Sequence, residues 1–278
     1  MKRIISIIAF LVISLNAFSQ KAEKLKGSKN VTTTEQSADS FSSIYIQDDI
    51  QVAFIKADST GIELEADDNL HEALKITNNG GVLNISLNNE LKSFKKFEVK
   101  VFYTDALKNI EAMDESTLMI LDEMSLEDVT FKLNDKAKLF INLKAKVAAF
   151  EFNNNATAEI NAKSEKIHLI LTDDASIKGL IAATELKVDQ YLKSKATLEG
   201  DVIDLKLRMD NNAKFIGKNL TAKNVEILAE GYSETSLFAE TNCVISAFAN
   251  SEIELFGEPT LELKKFTGKT SLKKNSLK

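Results

Sequence analysis

The sequence predicts an all-β protein, a parallel β-solenoid with coils of about 19 residues and an irregular β segment capping its N-terminal end. Three observations predict it. Small residues recur at Ser116, Ala137, Ala156, Ala175, Ala196, Ala213, Ser233 and Ser251, at intervals of 17 to 21. Residues four positions earlier and two positions later keep step with them, most of them apolar: Leu133, Phe152, Leu171, Leu192 and Met209 before, and Leu118, Leu139, Ile177, Leu198 and Phe215 after. A polar Asn/Asp corner precedes most of the small residues, most clearly in Phe131-Lys-Leu133-Asn-Asp-Lys-Ala137-Lys-Leu139-Phe-Ile141. Columns that hold register at a fixed period mark a repeat architecture. A sandwich or barrel, with strands every 8–12 residues or so, gives no reason for such a column to persist.

Residues 1–19 come first. Met1-Lys-Arg3, the apolar run Ile4 to Leu15 and Ala17-Phe18-Ser19 form a positive region, a hydrophobic region and a small-x-small cleavage site. Together they read as a secretory signal peptide. The apolar run is short of the roughly 20 residues a spanning helix needs, so no transmembrane segment is expected after cleavage. The expected location is exported: periplasmic, outer-membrane-associated or at the cell surface. Residues 20–40 are polar and aperiodic, the composition of a linker.

Residues 41–106 alternate with period two in Phe41–Ile46, Ile50–Phe54, Ile62–Leu64, Val82–Leu87 and Phe97–Val101, the pattern of half-buried strands. Asn78-Asn-Gly-Gly81 is a tight turn, since Asn and Gly tolerate positive φ. From 107 to 257 each unit offers two short strands and a polar corner. A unit this short buries an apolar face only when stacked on its neighbours. The small residue marks an interior corner with no room for a larger side chain. Gly179, Gly200, Gly217 and Gly257 suggest a second corner in some coils. Residues 258–278 are a basic tail whose lysines discourage strand addition.

The stretch Phe41-Ser-Ser-Ile-Tyr-Ile, Ile50-Gln-Val-Ala-Phe-Ile, Ile62-Glu-Leu-Glu-Ala-Asp-Asp-Asn-Leu70, Leu74–Ile85, Phe97-Glu-Val-Lys-Val101 and Leu107-Lys-Asn-Ile-Glu-Ala resembles the head GIN domain family of proposed auto-transporter adhesins. The following repeats are similar to that family's coils, so the resemblance spans residues 41–257. It implies a right-handed parallel β-helix and an adhesin, and it carries no catalytic motif.

Composition narrows the function. Apolar residues make up 44% and charged residues 27%, ordinary for a folded chain, with no Trp, one Pro and a net charge of −6. Loss of Lys2 and Arg3 with the signal leaves 33 basic and 41 acidic residues, a net −8 that argues against nucleic acid as a partner. The lone Cys243 has no internal disulfide partner.

Chemistry-bearing groups are sparse. The pairs Asp48-Asp49, Asp67-Asp68, Asp122-Glu123 and Asp173-Asp174 fall mostly at turns, where Asp bonds its own backbone. His71 and His168 stand far apart without metal-ligand spacing. Arg208 is an outward residue, and Cys243 lies in an apolar strand. No phosphate-cradling glycine loop or nucleophile elbow occurs. The sequence therefore offers no catalytic, cofactor or metal site.

What remains is a surface stripe along the corner: Asp114, Asn134, Asp135, Asn153, Asn154, Asp173, Asp174, Asp210 and Asn211. Two readings stay open. These residues form a hydrogen-bonded ladder that stiffens the corner, or a polar stripe that binds a glycan or another cell-envelope component. The expected function is that of an exported, non-catalytic binder or adhesin. The alternatives are a structural protein that self-associates through its ends and, third, a carbohydrate-active β-helix enzyme.

Overall fold

The computed structural model describes residues 24–276. The expected signal peptide, residues 1–19, lies outside them. Short strands come first: β1 (Lys24–Lys26), β2 (Val31–Ser37), β3 (Ser43–Ile46), β4 (Gln51–Lys56), β5 (Gly61–Asp67), β6 (Leu74–Asn79), β7 (Val82–Leu87), β8 (Glu90–Lys92), β9 (Phe97–Tyr103) and β10 (Asn109–Ala112). Long strands follow: β11 (Thr117–Leu133), β12 (Lys138–Phe152), β13 (Thr157–Leu171), β14 (Ser176–Gln190), β15 (Lys195–Met209), β16 (Lys214–Ala229) and β17 (Glu234–Ala247). The chain ends in β18 (Glu252–Phe256), β19 (Thr260–Phe266) and β20 (Ser271–Lys274).

This is a β-solenoid of parallel coils, each long strand forming one coil. β12 pairs with β13 from Lys138↔Thr157 to Phe152↔Leu171, skipping only Lys146 and Glu165. The same pairing, again with a single skipped position, joins β13 to β14 and β14 to β15. Sequence periodicity suggests two short strands per coil, but the structure has one bent strand. The reason lies in β12: Leu139, Ile141, Leu143 and Ala145 point inward, Lys146 and Val147 are both exposed, and inward alternation resumes at Ala148. Two outward residues in a row turn the chain with only one pairing skipped. One column of the core runs through Phe131, Phe150, Leu169, Val188 and Leu207, each opposite the next. Phe131 and Phe150 stack with ring centroids 5.2 Å apart.

The small-residue column is real and fully buried, but one member differs from the sequence reading. Lys195 N–H donates to Ala175 O and Lys214 N–H to Ser194 O, both at 2.9 Å, so Ser194 occupies the corner. Ala196 instead lies opposite Ile177 and Phe215. This coil places the buried polar Gln190 where its neighbours carry Leu171 and Met209, and puts Leu192 at the exposed corner. Apolar matching therefore slides two residues along the chain.

Residues 41–106 continue the stack and then close it. β3 pairs in parallel with β10 and β7, and β4 with β11 and β9. β5 then runs antiparallel to β9, ending the parallel order. Two flanking segments depart from expectation. Val31–Ser37, within the expected linker 20–40, is a strand lying antiparallel on β5, from Val31↔Asp67 to Ser37↔Gly61. Its start is tied down by Asp67, whose buried carboxylate accepts N–H bonds from Lys29 at 2.8 Å, from Lys95 and from Lys96 at 3.1 Å. Residues 260–274, within the expected tail 258–278, form a further coil, β19 on β17 and β20 on β18. Both segments lack alternation because most of their side chains are exposed, and backbone pairing does most of the holding, helped by a few side chains such as His71 on β2 and Lys265 over Phe248 on β19. No helix among the described residues is long and apolar enough to cross a membrane.

Candidate functional site

The corner that precedes each small residue has one conformational demand. Its second residue takes a positive φ of 58–60° at Asp114, Asp135, Asn154, Asp173, Leu192, Asn211 and Ala249, and Gly231 and Gly268 fill the same place. Asn, Asp and Gly tolerate this left-handed conformation best, which explains the Asx column. At Gly231 a Cβ would also come within 2.7 Å of the Asn211 backbone, so glycine fits there on two counts.

The structure brings all nine stripe residues to this one corner. Asp114, Asp135, Asn154, Asp173 and Asn211 hold the left-handed position; Asn134, Asn153 and Asp210 precede it, and Asp174 follows it. Seven of the nine residues, all but Asp174 and Asn211, have one side-chain oxygen engaged. Asp135 Oδ2 accepts the N–H of Asp114 at 3.4 Å, Asn154 Oδ1 that of Asp135 at 3.2 Å, and Asp173 Oδ2 that of Asn154 at 3.2 Å. Beside this run, Asn153 Nδ2 donates to Asn134 Oδ1 at 2.9 Å, and Asp210 accepts the N–H of Asn211 at 2.6 Å. Main-chain bonds stack the corners as well, as from Lys136 N–H to Asp114 O at 2.8 Å. From Asp114 to Asp173 the stripe forms a ladder that joins coil to coil.

Several groups that could do acid–base chemistry are likewise engaged. Asp189 Oδ2 lies 2.7 Å from His168 Nε2 and 2.9 Å from Lys187 Nζ. Burial works to raise the Asp189 pKa, but bonds from Lys187 and His168 outweigh it and leave the carboxyl below its ordinary range. Such a group is a poor proton donor near neutrality. His71 sits between the hydroxyls of Thr32 and Thr34, 2.9 Å from each. Arg208 lies over the Tyr191 ring at 5.5 Å. Burial pushes the Cys243 thiol up to about 11, so it is not a poised nucleophile. Among the described residues no three His, Cys, Asp or Glu side chains converge as a metal site requires.

The feature that sequence reasoning missed is a groove of about 580 Å³ on the coil face that follows the corner. Two rows of outward residues line it. Phe140, Glu159, Lys178 and Thr197 lie opposite one another on β12 to β15, as do Asn142, Asn161, Leu180 and Glu199. Asn161 Nδ2 donates to Asn142 Oδ1 at 3.1 Å, and Asn142 Nδ2 to the carbonyl of Leu121 one coil back. Leu121 and Leu180 are 62% and 54% exposed, and both line the groove. The groove therefore runs along the solenoid axis over five successive coils. Each coil contributes only one or two outward residues, so nothing contiguous in the sequence signals it. The nearest clue was the pair Asn142 and Asn161, one coil length apart.

Comparison with known proteins places these features in context. The model of a family described as "putative auto-transporter adhesin, head GIN domain" matches residues 40–259. Among solved structures, a "putative adhesin" from Parabacteroides merdae superposes with a TM-score of 0.61 at 16% identity, covering 91% of this chain and 100% of that one. A "putative adhesin" from Parabacteroides distasonis gives 0.59 at 15% identity, covering 91% and 98%. A "putative lipid binding protein" from the same species gives 0.59 at 16%, covering 91% and 100%. No curated protein matches the chain. At these identities the structural likeness speaks for the fold alone.

Proposed function

The chain belongs to the head GIN domain family, and from that premise we propose that it is an exported, non-catalytic binding module that adheres to a glycan or another cell-envelope component through the long side of its solenoid. The observation that carries this reading is the groove: it crosses five coils, mixes exposed apolar side chains with amides, and contains no paired acid and base set for chemistry. Hydrolysis of a glycosidic bond uses two carboxyl groups about 5–10 Å apart, one of them protonated. Glu159 and Glu199, the groove's carboxylates, sit two coils apart on separate rows, the first next to Lys178 and the second accepting a bond from Asn219. Export rests on the signal-like residues 1–19.

A melting-shift screen of residues 20–278 against envelope and host glycans tests the reading. A ligand at 100 times its dissociation constant stabilises a fold by about 2.7 kcal/mol, a clear upward shift. The expected result is a shift without released product. Reducing sugar released from an envelope polysaccharide would overturn the non-catalytic reading, and a screen flat for every envelope component would overturn the binding one.

A further inference from the structure

We propose that the groove takes a neutral glycan chain lying parallel to the solenoid axis, with Phe140 and Leu180 under the apolar ring faces and Asn161 and Thr197 bonding the hydroxyls. This rests on the binding reading above and gives it a place and a ligand class.

Four observations select the occupant. First, the strands beneath the groove, β12 to β15, are paired in parallel with both neighbours, so no backbone edge is free. A peptide cannot add there as a strand, and recognition must come from side chains. Second, the lining alternates in character. The half-buried Phe140 ring and the exposed Leu180 offer apolar surface, and beside each stands an amide, hydroxyl or charged group. A sugar ring has the same division, with an apolar C–H face and a polar rim. Third, Glu159 and Lys178 stand directly opposite each other, so the wall carries both signs, and the chain without residues 1–19, with 33 basic and 41 acidic residues, bears a net charge of −8. That field repels acidic polymers and leaves neutral ones indifferent. Fourth, the groove lies open along the surface with charged side chains on its wall, whereas an acyl chain gains most from an enclosed apolar cavity.

Orientation follows from spacing. Successive coils are about 4.8 Å apart, so a chain along the axis meets equivalent positions on each coil in turn, roughly one ring per coil. The Asn142–Asn161 pair then presents amides at that spacing. Asn161 keeps its Oδ1 and one amide hydrogen for a ligand.

The test is titration calorimetry of residues 20–278 with three probes: neutral glucan and mannan oligosaccharides, oligogalacturonate, and phosphatidylethanolamine vesicles. The wild type, Leu180→Glu, Phe140→Ala and the remote control Tyr232→Ala are compared, each first shown to melt as a folded protein. Leu180 and Tyr232 are both well exposed, so their replacement leaves the core intact. The expected result is binding of a neutral oligosaccharide that weakens about tenfold in Leu180→Glu and Phe140→Ala and stays unchanged in Tyr232→Ala. Neutral glycan binding that neither groove variant alters would overturn the groove assignment while leaving the binding function standing. Binding confined to oligogalacturonate or to vesicles would overturn the ligand class. Silence with all three probes, alongside a positive shift from some other envelope component, would overturn the class and spare the function.

Discussion

The Asp173 carboxylate accepts the backbone N–H of Asn154, one coil back, at 3.2 Å, and it is the last link of its run. The next corner carries Leu192, which keeps the left-handed φ of 60° but has no oxygen to offer the N–H of Asp173. The side-chain ladder that starts at Asp48, whose N–H bonds Asp114 at 3.0 Å, therefore stops in mid-solenoid.

Replacing Leu192 should mend it. Leu192→Asn puts an amide oxygen where Asp135, Asn154 and Asp173 place theirs, and suits the left-handed backbone better than a leucine. One new hydrogen bond is worth about 0.5–1.5 kcal/mol, and relief of strain adds to it. The side chain is 44% exposed, so little apolar burial is lost. Thermal unfolding should shift upward by a few degrees, about 2–4 °C per kcal/mol at this chain length. A lower melting temperature would mean that Leu192 packs usefully at its corner and that the ladder contributes nothing.

Coil architecture was legible where each position repeats a physical constraint. Small residues such as Ala137, Ala156 and Ala175 mark a crowded interior corner, and Asx residues such as Asp135 and Asn154 mark a left-handed one. Reading failed where a coil broke its own pattern. Gln190 and Leu192 exchange the expected polarity of core and corner, so Ser194 was passed over for Ala196. Val31–Ser37 and Thr260–Phe266 were missed because their order comes mainly from main-chain pairing, which leaves no hydropathy trace when side chains stay exposed. The groove was hidden because it gathers residues such as Phe140, Glu159 and Lys178 across coils.

The corrected register is tested by enlarging two corner residues. Ala175 and Ser194 are both fully buried in the same column. Ala175→Leu and Ser194→Leu should each overpack the corner and cost about 1–3 kcal/mol. Ala175→Asp should cost more, because it buries a carboxylate with no partner. Denaturant midpoints report all three. A Ser194→Leu variant as stable as wild type would show that this residue lies outside the interior corner.

Cys243 offers a chemical probe of the same core. It is 1% exposed, and burial pushes its thiol up to about 11. At pH 8 a disulfide reagent that needs the thiolate should leave the folded protein unlabelled and label it fully in denaturant. Prompt labelling of the native protein would mean that β17 opens readily.

Acid should release the N-terminal strands before the coils. Burial alone would raise the Asp67 pKa, but N–H bonds from Lys29, Lys95 and Lys96 outweigh it and hold the carboxyl below its ordinary 3.8. A carboxyl whose folded pKa is depressed contributes stability that is fully present above the unfolded value and fades as pH falls through the folded one. The contribution is therefore intact at pH 5 and above, and it fades below about pH 4, as expected for an ordinary carboxylate. Asp67 joins the segment leading into β2 to the loop at Lys95–Lys96, so its protonation should loosen Val31–Ser37 first. Hydrogen exchange followed as the pH is taken progressively below 4 should show those amides exposed first while β12 to β15 stay protected. Asp67→Asn should expose the same amides already at pH 7, because an amide side chain accepts fewer N–H bonds and brings two donors of its own into a site built from donors. Uniform loss of protection along the whole solenoid at low pH would show that Asp67 does not govern how this end opens.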